Sequence, residues 1–184
     1  MIIRDFDIQD LDALAEVHSM SKQVAEKGII YDEDLALFTP DYYRRKWAEW
    51  SKFEGSTIRT AWDGDRMVGF SSFGRVKTRP AFDKGVVPRY GGEIYCLYVH
   101  PDHFRQGVGK ALFVNACKGL NDQKLSTMLL WALKKNKRAC DFYESMGGER
   151  VGKQKIDIGL KSWAEESCFG WRDVKKVLKC HDGT

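Results

Sequence analysis

Residues 93–113 contain a predicted strand, a turn with two glycines and the start of a predicted helix. The strand is rich in β-branched, aromatic and aliphatic residues and stops at Pro101. From Leu112 onward, apolar residues recur every four positions, as they do on one face of a helix. Gly107 and Gly109 fall where this helix begins, so the first amides of the helix point outward at the positive end of its dipole. Because glycine lacks Cβ, this stretch predicts a phosphate-binding turn between a strand and a helix.

The residues around the two glycines resemble motif A of the GCN5-related N-acetyltransferases, the GNAT family. The matching residues are Val99-x-Pro101 followed by Arg105-Gln106-Gly107-Val108-Gly109-Lys110-Ala111-Leu112. In that family, the amides of the turn hold the pyrophosphate of acetyl-coenzyme A. The family pattern has Gln or Arg three residues before the first glycine, whereas this chain has Phe104. A G-x-G pair alone also fits a helix start that packs tightly on a neighbour, and the rival G-x-G-x-x-G and G-x-x-x-x-G-K-[ST] patterns are absent from the sequence.

Residues 136–147 resemble the family's motif B, N-x-x-A-x-x-F-Y-x-x-x-G. The resemblance implies that Asn136 contacts pantetheine-side groups of the cofactor and that the Tyr143 hydroxyl lies near its sulfur. Gly148 stands where the family usually has an aromatic residue. Since both motifs occur in the family's order and spacing, the resemblance covers nearly the whole chain.

The resemblance also implies two roles in proton transfer. Tyr143 would protonate the departing thiolate, because a phenol with a pKa of ~10 stays protonated at neutral pH. The alternative is a core tyrosine whose hydroxyl is satisfied. Glu93 would accept the proton of the amine, often through water, and the alternative is an ordinary carboxylate at a strand start. The implied contacts with the cofactor are Leu97, Tyr98 and Val99 beside the pantetheine arm, Arg105, Gln106, Gly107, Val108, Gly109 and Lys110 in the turn, and Asn136 and Tyr143.

Two further residues near the motif A strand are candidates for the acceptor site. Tyr95 lies two residues after Glu93, so it shares a face of the strand and is a candidate to line the acceptor pocket. His100 is a third candidate for proton transfer, but its place beside Pro101 predicts that it lies toward solvent.

Two charged stretches point in opposite directions. The acidic residues 32–34 favour either a cationic acceptor or a solvated loop. The basic stretch 75–92 favours an acidic acceptor, the phosphates of the cofactor or a solvated loop. The sequence does not decide between these interpretations.

Composition excludes several classes of protein. The chain has 184 residues, 43% of them hydrophobic and 30% charged, which fits a single globular domain over 1–184. No apolar run approaches ~18 residues and no signal peptide is recognisable, so we expect a cytoplasmic protein without a membrane partner. A net charge of +4 is too small to favour nucleic acid. Five cysteines without a C-x-x-C pair predict free thiols and no metal site. The sequence is compatible with a monomer or a homodimer.

The remaining pattern predicts further strands and helices around these motifs. The strands are expected at 2–6, 58–62, 67–73, 124–133, 150–160 and 165–171, and the helices at 8–26, 40–50, 136–146 (with Ala139, Phe142 and Met146 on its core face) and 174–179. Together with these elements, the resemblance to the GNAT family implies the α/β (α+β) acyl-CoA N-acyltransferase fold. This is a mixed, mostly antiparallel sheet of about seven strands, flanked by helices and splayed next to the motif A strand.

The predicted activity is acetyl-CoA-dependent transfer of an acetyl group to a primary amine of a small molecule or peptide, by direct attack in a ternary complex. Cys96 and Cys140 lie near the expected site, but neither has an obvious histidine partner, so a covalent nucleophile is not expected. The alternative is a non-catalytic acyl-CoA binding or sensing module, which would keep the phosphate-binding turn and lose turnover.

Overall fold

The structure is a computed structural model and describes residues 1–77 and 90–181. Its elements in chain order are β1 (Ile2–Asp5), α1 (Leu11–Glu26), α2 (Asp32–Leu35), α3 (Pro40–Trp50), β2 (Ser56–Asp63), β3 (Arg66–Arg75), β4 (Gly92–Val99), α4 (Val108–Asp122), β5 (Met128–Leu133), α5 (Lys137–Ser145), β6 (Glu149–Ile158), β7 (Ser162–Trp171) and α6 (Val174–His181). Most of the predicted basic stretch, residues 78–89, lies outside the described residues.

The strands form one mixed sheet in the order β1-β2-β3-β4-β5-β7-β6. Only β4 and β5 are parallel, and every other neighbouring pair is antiparallel. The predicted fold class, a mixed and mostly antiparallel sheet of seven strands flanked by helices, is therefore confirmed.

The sheet divides in its middle, between β4 and β5. Residues Gly92–Ile94 pair with Met128–Leu130, and the register goes no further along β4. The second half of β4 remains paired with β3 as far as Val99, while the rest of β5 pairs with β7. One edge of Leu97–Val99 consequently has no strand partner among the described residues. A bulge lies just before this part, because Ile94 pairs with Phe73 and Cys96 with the preceding Ser72.

Helices cover both faces of the sheet. On one face, α4 buries Leu112, Ala116 and Leu120 against the sheet, as their four-residue spacing predicts, and it also buries Phe113 there. On the other face, α1 and α3 pack an aromatic cluster that includes Tyr43 and Trp47 against Phe70 of β3. The dense aromatic residues of α3 are thus core residues.

The predicted strand at 124–133 is wrong over its first residues, since β5 begins at Met128. Lys124 adopts a left-handed conformation with φ of 63°, and the Leu125 amide donates to the Leu120 carbonyl at 2.9 Å. These bonds close the C-terminus of α4, so the residues after it form a turn instead of extended strand. Within the described parts of the chain, no helix is long and apolar enough to cross a bilayer.

Candidate active site

The turn before α4 has the geometry that its glycines predict. Gly107 caps the helix in a left-handed conformation with φ of 84°, and a Cβ there would meet no atom within 4 Å. The requirement for glycine therefore comes from backbone conformation, and the space above the turn is open. The bond from the Ala111 amide to the Gly107 carbonyl, 3.0 Å long, is the first of the helix. The amides of Gly107, Val108 and Gly109 precede it and are directed out of the helix start.

The Phe104 ring beside this turn packs against a cationic side chain of helix α5. The Arg138 guanidinium of α5 lies 3.9 Å from the centre of the Phe104 ring. Partial burial lowers the pKa of Arg138, which forms no ion pair with any described residue. From the sequence, Phe104 is only a departure from the motif, because a contact between residues 34 positions apart has no local signal. Arg105 and Gln106 are exposed beside the turn, and Gln106 donates to the Asp102 carbonyl at 2.9 Å.

The residues implied for the pantetheine arm lie on the unpaired edge of β4. Leu97 and Val99 pack on the α4 side of the sheet, and Tyr98 packs on the α1 side. The Ser21 hydroxyl of α1 donates to the Val99 carbonyl at 2.6 Å. The strand is thus held on both faces where its β5 edge is open.

Helix α5 carries Asn136 and Tyr143 to this opening. The Asn136 side-chain oxygen caps the helix by accepting from the Ala139 amide at 3.1 Å, which leaves its NH2 group to donate elsewhere. Tyr143 is 8% exposed, and its hydroxyl has no hydrogen-bond partner among the described residues. Burial raises the pKa of Tyr143, and the neighbouring Cys96 thiol of β4 adds to this. The phenol therefore stays protonated.

The predicted core face of α5 is confirmed at Met146 and wrong at Ala139 and Phe142. Its buried residues are Cys140, Tyr143 and Met146, whereas Ala139 and Phe142 are only partly buried. The Phe113 ring contacts both Phe142 and Tyr143, so the helix is anchored through both rings.

Glu93 lies on β4 where the sheet is still closed. It pairs with Leu129 of β5, is 3% exposed, and its Oε2 accepts from the Lys77 amide at 2.8 Å. Tyr95 donates its hydroxyl to the Arg75 carbonyl at 2.6 Å, and burial raises the pKa of Tyr95 to about 12. Tyr95 therefore contacts the last residue of β3, and Glu93 contacts the segment just after it.

His100 does not lie toward solvent, so that prediction is wrong. The residue is 2% exposed, and its Nδ1 accepts from the Asp102 amide at 3.2 Å, capping a short turn. Its Nε2 lies 3.0 Å from the Arg66 guanidinium. The Asp102 amide satisfies Nδ1, and burial, followed by the nearby Arg66 cation, lowers the pKa of His100.

Asp34 has a structural task within the acidic segment. Its carboxylate accepts from the amides of the β6–β7 turn, at 2.6 Å from Leu160, 3.0 Å from Lys161 and 2.6 Å from Ser162. The Ser162 hydroxyl and these amides lower the pKa of Asp34 to about 2. Asp32 and Glu33 are exposed. Asp34 therefore holds the turn and is not available to a cationic acceptor.

Helix α1 carries a buried polar row that the sequence motifs do not include. His18, Lys22 and Glu26 are spaced by four residues and face the sheet next to Tyr43 and Tyr98. His18 Nδ1 accepts from the Trp47 indole at 2.9 Å, and burial lowers the pKa of His18 well below its usual value. The four-residue spacing of the three titratable residues is a signal in the sequence for such a polar row.

A cavity of about 410 Å³ opens at the end of β5, close to the C-terminus of α1. Residues 28–31, Lys134, Lys135 and residues 162–165 line it. Lys134 pairs with Glu165 across it at 2.8 Å.

The described residues contain neither an activated thiolate nor a group of side chains that could bind a metal ion. Burial raises the pKa of Cys96 to about 12 and also raises that of Cys140, so neither is an activated thiolate. All five cysteines are free. No group of three His, Cys, Asp or Glu side chains within 1–77 and 90–181 is placed to hold a metal ion.

Comparison with known proteins agrees with this geometry. The model of the acetyltransferase (GNAT) family matches residues 28–148. An uncharacterized N-acetyltransferase of Bacillus subtilis (strain 168), YuaI, is 27% identical over 176 residues, which is 95% of each chain. A mycothiol acetyltransferase of Geodermatophilus obscurus is 33% identical over 125 residues, covering 68% of this chain and 36% of the relative.

A solved structure shares the fold. The PaiA N-acetyltransferase from Thermoplasma acidophilum, crystallised in complex with coenzyme A, matches with a TM-score of 0.65 and 18% identity over 90% of this chain and 96% of that one. The family match extends from the end of α1 through both motifs. This chain belongs to the GNAT family of acetyltransferases.

Proposed function

We propose that the chain transfers the acetyl group of acetyl-coenzyme A to a primary amine by direct attack within a ternary complex. The observation that carries this proposal is the juxtaposition of the open β4 edge, the glycine turn at one end of it and the Tyr143 hydroxyl. Five free thiols suit a reducing compartment, so the cytoplasm is the proposed location.

The residues present fit the acyl donor. The open space over Gly107 and the outward amides of the turn suit a pyrophosphate, and Arg138 adds a cation. Backbone groups of Leu97–Val99 and the Asn136 amide group would hold the pantetheine arm. When bound, the donor supplies an acetyl thioester.

The chain's own groups would manage the protons. The Tyr143 phenol is protonated and unpartnered among the described residues, so it is suited to donate a proton to the leaving sulfur. An amide on the open edge of β4 would stabilise the charge that develops on the carbonyl oxygen. Glu93 is the proposed acceptor of the amine's proton. It lies where β4 and β5 still pair, so the proton would reach it through water. With Cys96 protonated, attack by the amine itself is favoured over a covalent relay.

A broad amine screen that follows thiol release from acetyl-coenzyme A tests this function. We expect release above the rate without amine, together with an acetylated product identified by mass. A protein that binds coenzyme A in calorimetric titration but acetylates no amine would instead be a sensing module.

A further inference from the structure

Glu26 carries a buried carboxylate oxygen that no described group satisfies. The residue is 6% exposed and ends α1. Its Oε1 lies 2.6 Å from Lys22 Nζ, whereas its Oε2 is buried and accepts no hydrogen bond from the described residues. A buried carboxylate that is only half compensated needs a further donor.

The side chains around Glu26 form a negative, aromatic environment. Glu26 adds to the raised pKa of Tyr43 on α3 and of Tyr98 on β4, both of which are raised first by burial. Burial also raises the pKa of Glu166 on β7, with Glu26 contributing after it, and Gln154 donates to Glu166 at 2.7 Å.

Several features favour a cation at Glu26 Oε2. Lys22 already neutralises one oxygen, but Glu166 adds a second carboxylate to the same region. Glu26 also lies at the C-terminus of a 16-residue helix, where the dipole is negative. The neighbouring phenol rings of Tyr43 and Tyr98 suit an alkylammonium group, since aromatic faces attract cations.

We propose that Glu26 binds a second ammonium group of the acceptor, so that the acceptors are primary amines carrying another cationic amino group. This inference rests on the proposed acetyl transfer for the identity of the site. The amine that is acetylated must lose its charge before attack, whereas the second one keeps its charge and donates to Glu26 Oε2. Glu26 and Tyr143 both add to the raised pKa of Tyr98 on β4, which burial raises first, so both groups lie close to that residue.

Matched acceptors test the proposal in a transfer assay. Alkyl α,ω-diamines of about three to five carbons are compared with amino alcohols and amino acids of the same lengths, using wild type, Glu26→Gln and Glu33→Gln. Glu33 is an exposed neighbour on α2 and serves as the control. Wild type and the control should favour the best diamine over its amino alcohol by at least about ten-fold in kcat/KM, or ~1.4 kcal/mol. Glu26→Gln should lose that preference, mainly through KM, and keep its rate with the amino alcohol.

A binding measurement keeps the inference independent of turnover. The same diamines are titrated calorimetrically into wild type and variants loaded with coenzyme A. Because Glu26→Gln leaves Lys22 without its partner, the double variant Lys22→Met/Glu26→Gln provides a second form without the buried charges. Diamine binding that is lost in both variants, with coenzyme A affinity unchanged, supports the site even if no amine is acetylated, and then only the proposed transfer fails. Diamine binding unchanged in Glu26→Gln, or absent from wild type at about 10 mM, overturns the inference.

Discussion

Tyr143 lies at the opening in the sheet and Glu93 lies upstream of it, although the family resemblance gives both a role in proton transfer. Tyr143 reaches the open half of β4 from α5, beside the Cys96 thiol. Glu93 lies upstream, where β4 and β5 still pair, and is held by the Lys77 amide. A single water or a short chain of waters would therefore connect Glu93 to the amine.

Replacement of Glu93 by Gln tests its role as proton acceptor. Gln keeps an oxygen that can accept from the Lys77 amide, so the fold and the affinity for coenzyme A should be preserved. If Glu93 takes the proton, kcat/KM should fall by about 10²-fold, most strongly at the pH values where the amine is protonated. A pH–rate profile with its acidic limb and magnitude intact would remove Glu93 from the mechanism. Glu54→Gln, at an exposed position, is the matched control.

Individual residues show where sequence reasoning stopped. Motif spacing located Tyr143, Asn136 and the turn glycines, since their positions follow from local elements. It could not show that Arg138 stacks on Phe104, or that Glu26 lies beside Tyr98, because such contacts depend on the tertiary packing of separate elements. His100 was misplaced for the same reason, since its partner Arg66 is 34 residues away.

The strand β4, the turn and helix α4 form the unit that the sequence predicted best. Its strand composition, the glycine at a left-handed position and the four-residue apolar spacing are local signals that agree with one another. The β6–β7 hairpin was predicted only as two strand-like runs. Its attachment to the α1–α3 side of the molecule through Asp34 spans 126 to 128 residues and has no local signal.

Gly109→Asp tests the phosphate-binding role of the turn. A Cβ at Gly109 would lie 3.6 Å from Val99 and 3.9 Å from Phe142, which are ordinary contacts. A carboxylate in the first turn of a helix also complements the dipole, so the variant should fold. It would place an anion where the phosphate is expected to bind, and coenzyme A affinity should fall well over ten-fold, more than ~1.4 kcal/mol.

The uncharged variant Gly109→Asn is the control of matched size for that titration and should lose less affinity. Equal calorimetric affinities of wild type and a folded Gly109→Asp protein would contradict the assignment of the turn.

The molecule as a whole buries two histidines whose pKa values are lowered by burial, His18 and His100. The unfolded chain binds protons at these residues below a pH of about 6.5, whereas the folded chain resists protonation. Their neutral forms therefore contribute stability above that pH, and the contribution is lost as the pH falls toward the folded-state values. The free energy of unfolding in urea should decrease below about pH 6.5, by up to ~1.4 kcal/mol per pH unit for the buried His18.

His18→Gln separates this effect from general acid unfolding. Gln offers an acceptor for the Trp47 indole but does not titrate, so the variant should show a shallower pH dependence than wild type. A free energy of unfolding that stays constant between about pH 7.5 and 5.5 in wild type would contradict the account of the buried histidines.

The fold class was predictable because strand count, motif order and helix periodicity all favoured one architecture. The strand order places β5 beside both β4 and β7, and the opening in the sheet arises from that arrangement. Residue spacing alone gives no register across the sheet, so the depth of the opening and the side chains around it required the structure.

The rate of acetyl transfer by Tyr143→Phe tests the central claim most directly. The change removes one oxygen that has no partner among the described residues and keeps the ring between Phe113 and Phe169. Folding and coenzyme A affinity should be nearly unchanged. With the amine that wild type acetylates fastest, kcat should fall by about 10²-fold or more, as expected for loss of a positioned acid. A folded variant with the wild-type rate, or a wild-type protein that binds coenzyme A and acetylates no amine, would contradict the claim.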